Sequence, residues 1–306
     1  MTEIKRTTTL PQTVITQLDQ LSENEPVTFD LSSLGVIAVT GEDRVKFLQG
    51  QVTADVAKLT PEYAQLAAFC NPQGRIQSLF YLLSDEQQIW LLLPTDILPQ
   101  TLTALAKYAV FYQCELVDVS DQFQVLGVFN SNRPNDSLSF TLPFDQQRHY
   151  CLVSHQEASK RLANTTTGDS ASWEMMDIRA GVARLTTTTV GQFLPHNLGL
   201  PELDAVNFNK GCYTGQEVVA RMHYKGKLKS HLRLLRAASD EVPAPLTELV
   251  DEQDKKIGEV VCSCNIDGHL ELLALCKDTI ENVRKIRCKS EKASILTLSS
   301  FENSNI

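Results

Sequence analysis

Long apolar runs are missing from this sequence, and their absence excludes an integral membrane protein built from helices. No segment approaches the roughly 18 consecutive apolar residues that a membrane-spanning helix requires. The run at 91–93 ends at Pro94 and is only as long as a strand. The N-terminus has no apolar stretch behind its charged residues, so we expect no secretory signal peptide. Together these absences predict a cytoplasmic protein with no membrane contact.

Basic residues are also scarce. The 306 residues include 37 acidic and 28 basic side chains, for a formal net charge of −9. This balance argues against nucleic-acid binding by the whole surface, although it leaves room for a local basic face. The eight cysteines should be mostly thiols, because a protein without an export signal stays in a reducing compartment. The length favours two or three compact units.

The spacing of apolar residues predicts an α+β fold followed by a small β-barrel. Strand-like segments at 64–70 and 75–83 flank the sequence Asn-Pro-Gln-Gly, which is strong turn chemistry. Residues 94–108 have helical spacing, and hairpins that alternate with single helices are typical of an α+β layer. After Lys229 the chain changes to short alternating segments, whose spacing indicates a barrel.

The segment 210–217, with the sequence KGCYTGQE, carries the most specific chemistry. Thr214 and Glu217 have the spacing of a capping box, which predicts a helix that starts here with Cys212 just ahead of it. The positive end of that helix and the ammonium of Lys210 would both favour a thiolate. Cys212 is therefore a candidate nucleophile, cluster ligand or redox sensor. The alternative is a small side chain that fills a tight turn.

This octapeptide resembles the signature of the YgfZ family, which supports tRNA modification and iron–sulfur enzymes and is related to the glycine-cleavage T-protein. Blocks at 41–56, 107–111 and 191–195 also resemble that family. The resemblance implies a T-protein-like folate-binding fold with ferredoxin-like subdomains plus a C-terminal β-barrel. It places two intertwined α+β subdomains in residues 1–222, with the inner one at about 51–114, and the barrel in residues 223–306.

The same resemblance implies that tetrahydrofolate or a derivative is the cofactor and that Trp173 contacts it. Trp173 starts a predicted helix that ends before Gly181, and its flat ring can stack on a pterin or an aminobenzoate. The alternative is a core tryptophan. A second folate-contacting tryptophan of the family corresponds to Leu34, so one wall of the expected pocket would be aliphatic.

Two departures from the related T-proteins affect the expected chemistry. Arg179 stands where T-proteins have a glutamate that hydrogen-bonds the pterin, and a guanidinium has no acceptor. Either the ligand shifts or another acid, such as Glu174, takes over. The catalytic aspartate of the T-protein corresponds to Gln77 or Ser78, neither of which is a carboxylate. We therefore expect no aminomethyl transfer of the T-protein type.

A cationic stretch follows the signature. Six cations and no acid occur between residues 218 and 239, and those from 225 to 233 alternate as on one face of a strand. Such a face could receive a polyglutamate tail or tRNA phosphates; the alternative is a solvated strand face. The six are Arg221, Lys225, Lys227, Lys229, Arg233 and Arg236.

Other candidates are weaker. Cys262 and Cys264 would share one face of a strand, but a metal site needs further ligands, and Cys276 and Cys288 are only distant candidates. We predict structural roles for them and no metal site. His223 follows the signature helix, but its proximity to Cys212 in the sequence does not by itself establish a Cys–His pair.

The function that the resemblance implies is folate-dependent support of iron–sulfur enzymes, including those that thiolate tRNA. Trp173 would hold the folate, Cys212 would be the reactive thiol facing the same cavity, and Lys210 would assist by its charge. The expected partners are folate and iron–sulfur client enzymes such as tRNA-thiolating enzymes, with a weak tRNA contact as a further possibility. The alternatives are a folate-dependent one-carbon transferase or demethylase and a module that binds tRNA directly. Whether the protein turns over a substrate is left open.

Overall fold

The computed structural model describes residues 26–129, 131–134, 138–289 and 294–301. The start of the predicted N-terminal region, residues 1–25, therefore lies outside the described residues. No helix of the described part is long and apolar enough to cross a membrane.

Five antiparallel strands form an inner sheet next to two helices, α1 (Arg44–Gln49) and α2 (Leu98–Ala109). Helix α2 begins later than the predicted residue 94, because Pro94 ends a strand. The strands are β2 (Leu34–Thr40), β3 (Gln65–Cys70), β4 (Ile76–Ser84), β5 (Ile89–Pro94) and β6 (Glu115–Asp118), in the order β3-β4-β5-β2-β6. All six residues of β5 are buried, which explains its continuous apolar sequence.

The predicted turn between β3 and β4 is confirmed. The side chain of Asn71 accepts hydrogen bonds from the backbone N–H groups of Gln73 and Arg75, both at 3.0 Å. Gly74 takes a φ of +74°, which glycine adopts without strain. The local sequence therefore sets the register of this hairpin.

A second sheet, the outer sheet, is formed by strands that precede and follow the inner sheet along the chain. Its strands are β1 (Val27–Asp30), β7 (Gln124–Phe129), β8 (Ser139–Leu142), β9 (Asp145–Val153) and β10 (Thr166–Gly168), in the order β10-β1-β7-β9-β8. Helix α3 (His155–Asn164) precedes β10. Because the chain leaves this sheet after β1 and returns at β7, the two sheets are intertwined. Strands of the inner sheet run from residue 34 to residue 118; the proposed domain boundaries stay a prediction.

Helix α4 (Ser170–Arg179) joins the sheets to the rest of the molecule. Asp169 caps it, since its carboxylate accepts a hydrogen bond from the Ser172 N–H at 2.6 Å. Gly181, with a φ of +75°, closes the helix as predicted. Apolar residues are buried around much of its circumference, as expected for a helix packed on several sides. They are Trp173, Met175, Met176 and Ile178.

A closed barrel of six strands follows α5 (Gln216–Lys225), which confirms the predicted α+β fold with a C-terminal barrel. The strands are β11 (Ser230–Ala238), β12 (Glu248–Val250), β13 (Lys256–Ile266), β14 (His269–Lys277), β15 (Ile286–Cys288) and β16 (Ile295–Ser299). The order around the barrel is β11-β14-β13-β12-β15-β16. Short 3-10 turns lie at Val56–Lys58, Pro195–Leu198 and Asp278–Asn282.

A buried carboxylate of the barrel connects it to α4. Glu271 on β14 is 5% exposed and accepts charge-assisted hydrogen bonds from both Nη2 and Nε of Arg179, the shortest at 2.7 and 2.9 Å. The Nε atom of Arg236 on β11 lies 3.1 Å from the same carboxylate. Two guanidinium groups therefore neutralise one buried acid, and one of them belongs to the helix outside the barrel.

We expect Glu271→Gln to destabilise the protein by about 3 kcal/mol, because removing one partner of a buried ion pair leaves the other charge uncompensated. Urea unfolding measures the change. Glu281→Gln is a matched control, since Glu281 pairs with Arg233 at 3.3 Å but is 70% exposed; it should cost less than about 1 kcal/mol. Equal effects of the two changes would contradict the role of Glu271.

Candidate functional site

A cavity of about 70 Å³, partly open to solvent, lies where both sheets, α4 and the barrel meet. The inner sheet contributes an aliphatic wall, which includes Leu34, Leu66, Leu79 and Leu92. Tyr150 of β9, one side of α4, the following segment 182–185 and Cys262 of β13 complete the lining. Every layer of the fold therefore contributes to one site.

Trp173 lines this cavity and is held firmly in place. It is 3% exposed, and the guanidinium of Arg148 lies over its ring at 4.2 Å. Tyr150 approaches it at 5.5 Å between ring centroids. A methyl group at Gly127 would come within 2.5 Å of its Cζ3 atom, so only glycine permits this approach of β7. Trp173 is thus a rigid part of the wall.

Two carboxylates face the cavity from the same helix. Glu174 and Asp177 are one turn apart on α4, which places them on one side. Burial raises the pKa of both carboxyl groups above its ordinary value, although a nearby guanidinium partly offsets this in each case. Arg148 lies 2.5 Å from Asp177, and Arg184 lies 4.0 Å from Glu174. The cavity therefore offers hydrogen-bond acceptors beside an apolar wall.

Arg179, where the related T-proteins have an acid, points away from these carboxylates. Its guanidinium is committed to Glu271 of the barrel, and it is not among the described residues that line the cavity. The departure at residue 179 therefore serves packing between helix and barrel. The suggested substitute acid, Glu174, does lie on the cavity.

Both thiols of the predicted Cys262–Cys264 pair face α4. The Sγ of Cys264 donates to the Ala171 carbonyl at 3.3 Å, and Cys262 lines the cavity. Burial raises the pKa of each thiol to about 12, so both remain protonated. Within the described residues, no three His, Cys, Asp or Glu side chains are grouped closely enough to hold a metal ion.

The signature segment lies along a neighbouring loop of the inner subdomain. Lys210 donates from Nζ to the carbonyls of Val52 at 2.8 Å and Ala54 at 2.6 Å. Burial lowers the pKa of this ammonium to about 8. The Thr214 N–H donates to the Gly50 carbonyl at 3.3 Å. These contacts fix the loop that carries Cys212.

The capping box predicted at Thr214 and Glu217 is wrong. Helix α5 starts at Gln216, and the residue before it is Gly215, which has no side chain to cap the helix. The φ of Gly215 is +84°, and a methyl group there would lie 2.5 Å from the Asn71 carbonyl. The hydroxyl of Thr214 instead donates to Gln51 at 3.3 Å. The start of α5 is therefore held by close packing of Gly215 against the β3–β4 turn and not by a side-chain cap.

Cys212 is exposed and precedes the first residue of α5 by four positions. Neither Cys212 nor Lys210 is among the described residues that line the cavity. His223 stacks on Phe208 with ring centroids 3.7 Å apart, and no contact with Cys212 is found among the described residues. The structure thus brings Trp173, Leu34 and Glu174 together and places the signature thiol elsewhere, on the surface.

The predicted cationic strand is only partly a strand. Strand β11 begins at Ser230, so Lys225 ends helix α5 and residues 226–229 connect the two elements. The basic residues on β11 have acidic partners. His231 lies 3.2 Å from Asp278, while Arg233 and Arg236 pair with Glu281 and Glu271.

Two cavity-lining residues, Asp177 and Arg184, are not singled out by the sequence analysis, nor is Arg148, which contacts Asp177 and Trp173. The signal for Asp177 was present, because it lies four residues after Trp173 and three after Glu174, on one helix face. Arg148 lies within β9, and its partner Asp177 comes from a distant helix. The positions corresponding to the T-protein aspartate, Gln77 and Ser78, are not among the described lining residues, although the adjacent Leu79 is.

Comparisons with known proteins identify the relationship. Residues 15–130 match the family model described as GCVT N-terminal domain. An uncharacterized protein of Haemophilus influenzae is 32% identical over 262 residues, covering 84% of this chain and 91% of that protein. The tRNA-modifying protein YgfZ of Yersinia enterocolitica is 29% identical over 309 residues, covering 90% and 92%. That of Colwellia psychrerythraea is 28% identical over 309 residues, covering 92% and 94%. The chain belongs to the YgfZ family.

The YgfZ relationship agrees with the architecture. The glycine-cleavage aminomethyltransferase T of Bartonella henselae superposes with a TM-score of 0.72 at 15% identity, covering 92% of this chain and 87% of that one. A likeness at this identity shows the fold alone. It confirms the expected T-protein-like fold of this YgfZ-family protein.

We expect one fast-reacting thiol in the native protein. Of the eight cysteines, all of which the structure describes, six are buried, Cys114 is half-buried and Cys212 is exposed. A thiol reagent with an absorbance readout should modify one equivalent rapidly, and Cys212→Ser should abolish that phase. A fast phase that persists in Cys212→Ser would contradict the exposed position of this loop.

Proposed function

We propose that the protein is a cytoplasmic folate-binding accessory protein that supports tRNA modification by iron–sulfur enzymes, including thiolating enzymes. The observation that carries the proposal is the cavity itself, in which an aliphatic wall faces Trp173 and two carboxylates of α4. The relatives named as tRNA-modifying proteins supply the process.

The cavity residues fit a reduced folate. A pterin ring presents N–H donors, and Glu174 and Asp177 supply the acceptors that Arg179 lacks. Leu34 and Ile178 offer apolar surface to the aminobenzoyl ring. When bound, tetrahydrofolate would supply a one-carbon carrier. We assign Trp173 to the wall that positions it.

Cys212 is assigned a separate role. An exposed thiol is accessible to a partner macromolecule, such as an iron–sulfur client enzyme, without that partner entering the cavity. Lys210 acts as a positioning residue, because its two hydrogen bonds to Val52 and Ala54 hold the Cys212 loop in place. The thiol and the cavity are thus two separate sites on one protein.

A folate-dependent one-carbon transferase is the second candidate. The raised pKa of Glu174 favours it, since a carboxyl group that holds its proton more tightly can act as a general acid. T-protein-type aminomethyl transfer remains unexpected, because the corresponding positions are Gln77 and Ser78. Direct tRNA binding is compatible with either function.

We expect Glu174→Gln to weaken tetrahydrofolate binding about tenfold or more, because a hydrogen bond to a charged group contributes roughly 1.5–3 kcal/mol. Isothermal titration calorimetry measures it without relying on tryptophan emission. Glu252→Gln, an exposed acid of the barrel, is the matched control and should leave the affinity unchanged. A folded Glu174→Gln variant with native affinity would overturn the assignment of this cavity.

A further inference from the structure

An exposed aromatic ring surrounded by cations lies at the C-terminal end of α5. We define the α5 patch as Arg221, Tyr224, Lys225, Lys227 and Lys229. Tyr224 is 66% exposed, and the four cations are exposed as well. An exposed aromatic ring with cations around it offers both a stacking surface and a site for negative charge.

Among the described residues, no carboxylate lies within ion-pair distance of any of the four cations of the α5 patch, whereas the neighbouring cations Arg233 and Arg236 are paired. Lys225 is in the last turn of α5, where a cation also favours the helix dipole. Lys227 and Lys229 lie beyond the helix and have no such role. This cluster is conspicuous in a chain with a net charge of −9.

The aromatic part of the patch is preorganised. His223 stacks on Phe208 with an interplanar angle of 14°, and Tyr224 meets the His223 ring edge-on at 4.9 Å. Tyr224 also lies 6.3 Å from Phe208 in an edge-on arrangement. Its orientation is therefore set by neighbours, while two thirds of its surface remains available. An exposed ring held in this way is a platform for a planar partner.

We propose that the α5 patch binds a single-stranded segment of RNA. Phosphates would neutralise the four cations, and an unpaired base would stack on Tyr224. An acidic peptide would use the charges but not the aromatic platform, and a duplex presents no free base face. That the RNA is a tRNA loop rests on the proposed function. The binding of phosphates and of an unpaired base is inferred from the patch itself.

The position of the patch connects it to the signature thiol. Cys212 precedes the N-terminal end of α5, and a helix of ten residues is about 15 Å long. A strand of a few nucleotides that leaves the patch along the helix would therefore come close to Cys212. RNA bound in this way should slow alkylation of that thiol.

Fluorescence anisotropy with a labelled tRNA stem-loop, measured across a range of salt concentrations, tests the proposal. Tyr224→Ala should weaken binding of the stem-loop about tenfold, since stacking of one base contributes roughly 1–3 kcal/mol. Tyr224→Phe keeps the ring and should retain the native affinity. A fully paired RNA of equal length should bind weakly and respond little to either change.

Lys227→Ala/Lys229→Ala should lower the slope of log affinity against log salt by about 1.4, at roughly 0.7 for each phosphate contact to a single strand. Arg284→Ala/Lys285→Ala is the matched control, because these two barrel residues are adjacent, exposed and cationic. It should leave the slope unchanged.

Equal losses in the Lys227/Lys229 variant and in the barrel control would overturn the proposal. Equal binding of the stem-loop and the fully paired RNA would also overturn it. Displacement of the stem-loop by polyglutamate, at a carboxylate concentration equal to the phosphate concentration of the RNA, would overturn it as well and would indicate an acidic protein partner. Native folate affinity in a protein that binds no RNA would remove this inference alone and leave the proposed function intact.

Discussion

The ion pair between Arg179 and Glu271 is the contact on which the site depends. It fixes α4 against the barrel with the charge of Glu271 fully buried, and a buried acid tolerates no loss of its partner. The same helix carries Trp173, Glu174 and Asp177 on the side that faces the inner sheet. One helix therefore pairs with the barrel through Arg179 and lines the cavity with these three side chains.

A second ion pair sets the chemistry inside the cavity. Arg148 is completely buried, lies over Trp173 and pairs with Asp177. It therefore orients the ring and partly offsets the effect of burial on the Asp177 carboxyl. Glu174 is held more loosely by Arg184 at 4.0 Å and is the more available acceptor. The two acids are unequal because their guanidinium partners differ in distance and burial.

Local signals were sufficient for much of the fold and insufficient for part of the site. The β3–β4 turn, the closure of α4 at Gly181 and the barrel follow from neighbouring residues, which the sequence displays directly. The capping box at Thr214 failed because Gly215 must pass close to Asn71, a tertiary contact that no spacing reveals. The partner of Arg179 lies 92 residues away, and that of Arg148 on another element, so neither ion pair could be predicted. Trp173, Leu34 and Glu174 line one cavity, whereas Cys212, expected to face the same cavity, is exposed on the surface.

The central claim is that the cavity beside α4 holds a reduced folate, and a crystal structure of the protein with tetrahydrofolate tests it most directly. The account predicts a pterin ring against the aliphatic wall, with an N–H group within about 3 Å of the carboxylate of Glu174 or Asp177. Folate bound elsewhere on the protein, or in this cavity with its pterin turned away from both carboxylates, would contradict it.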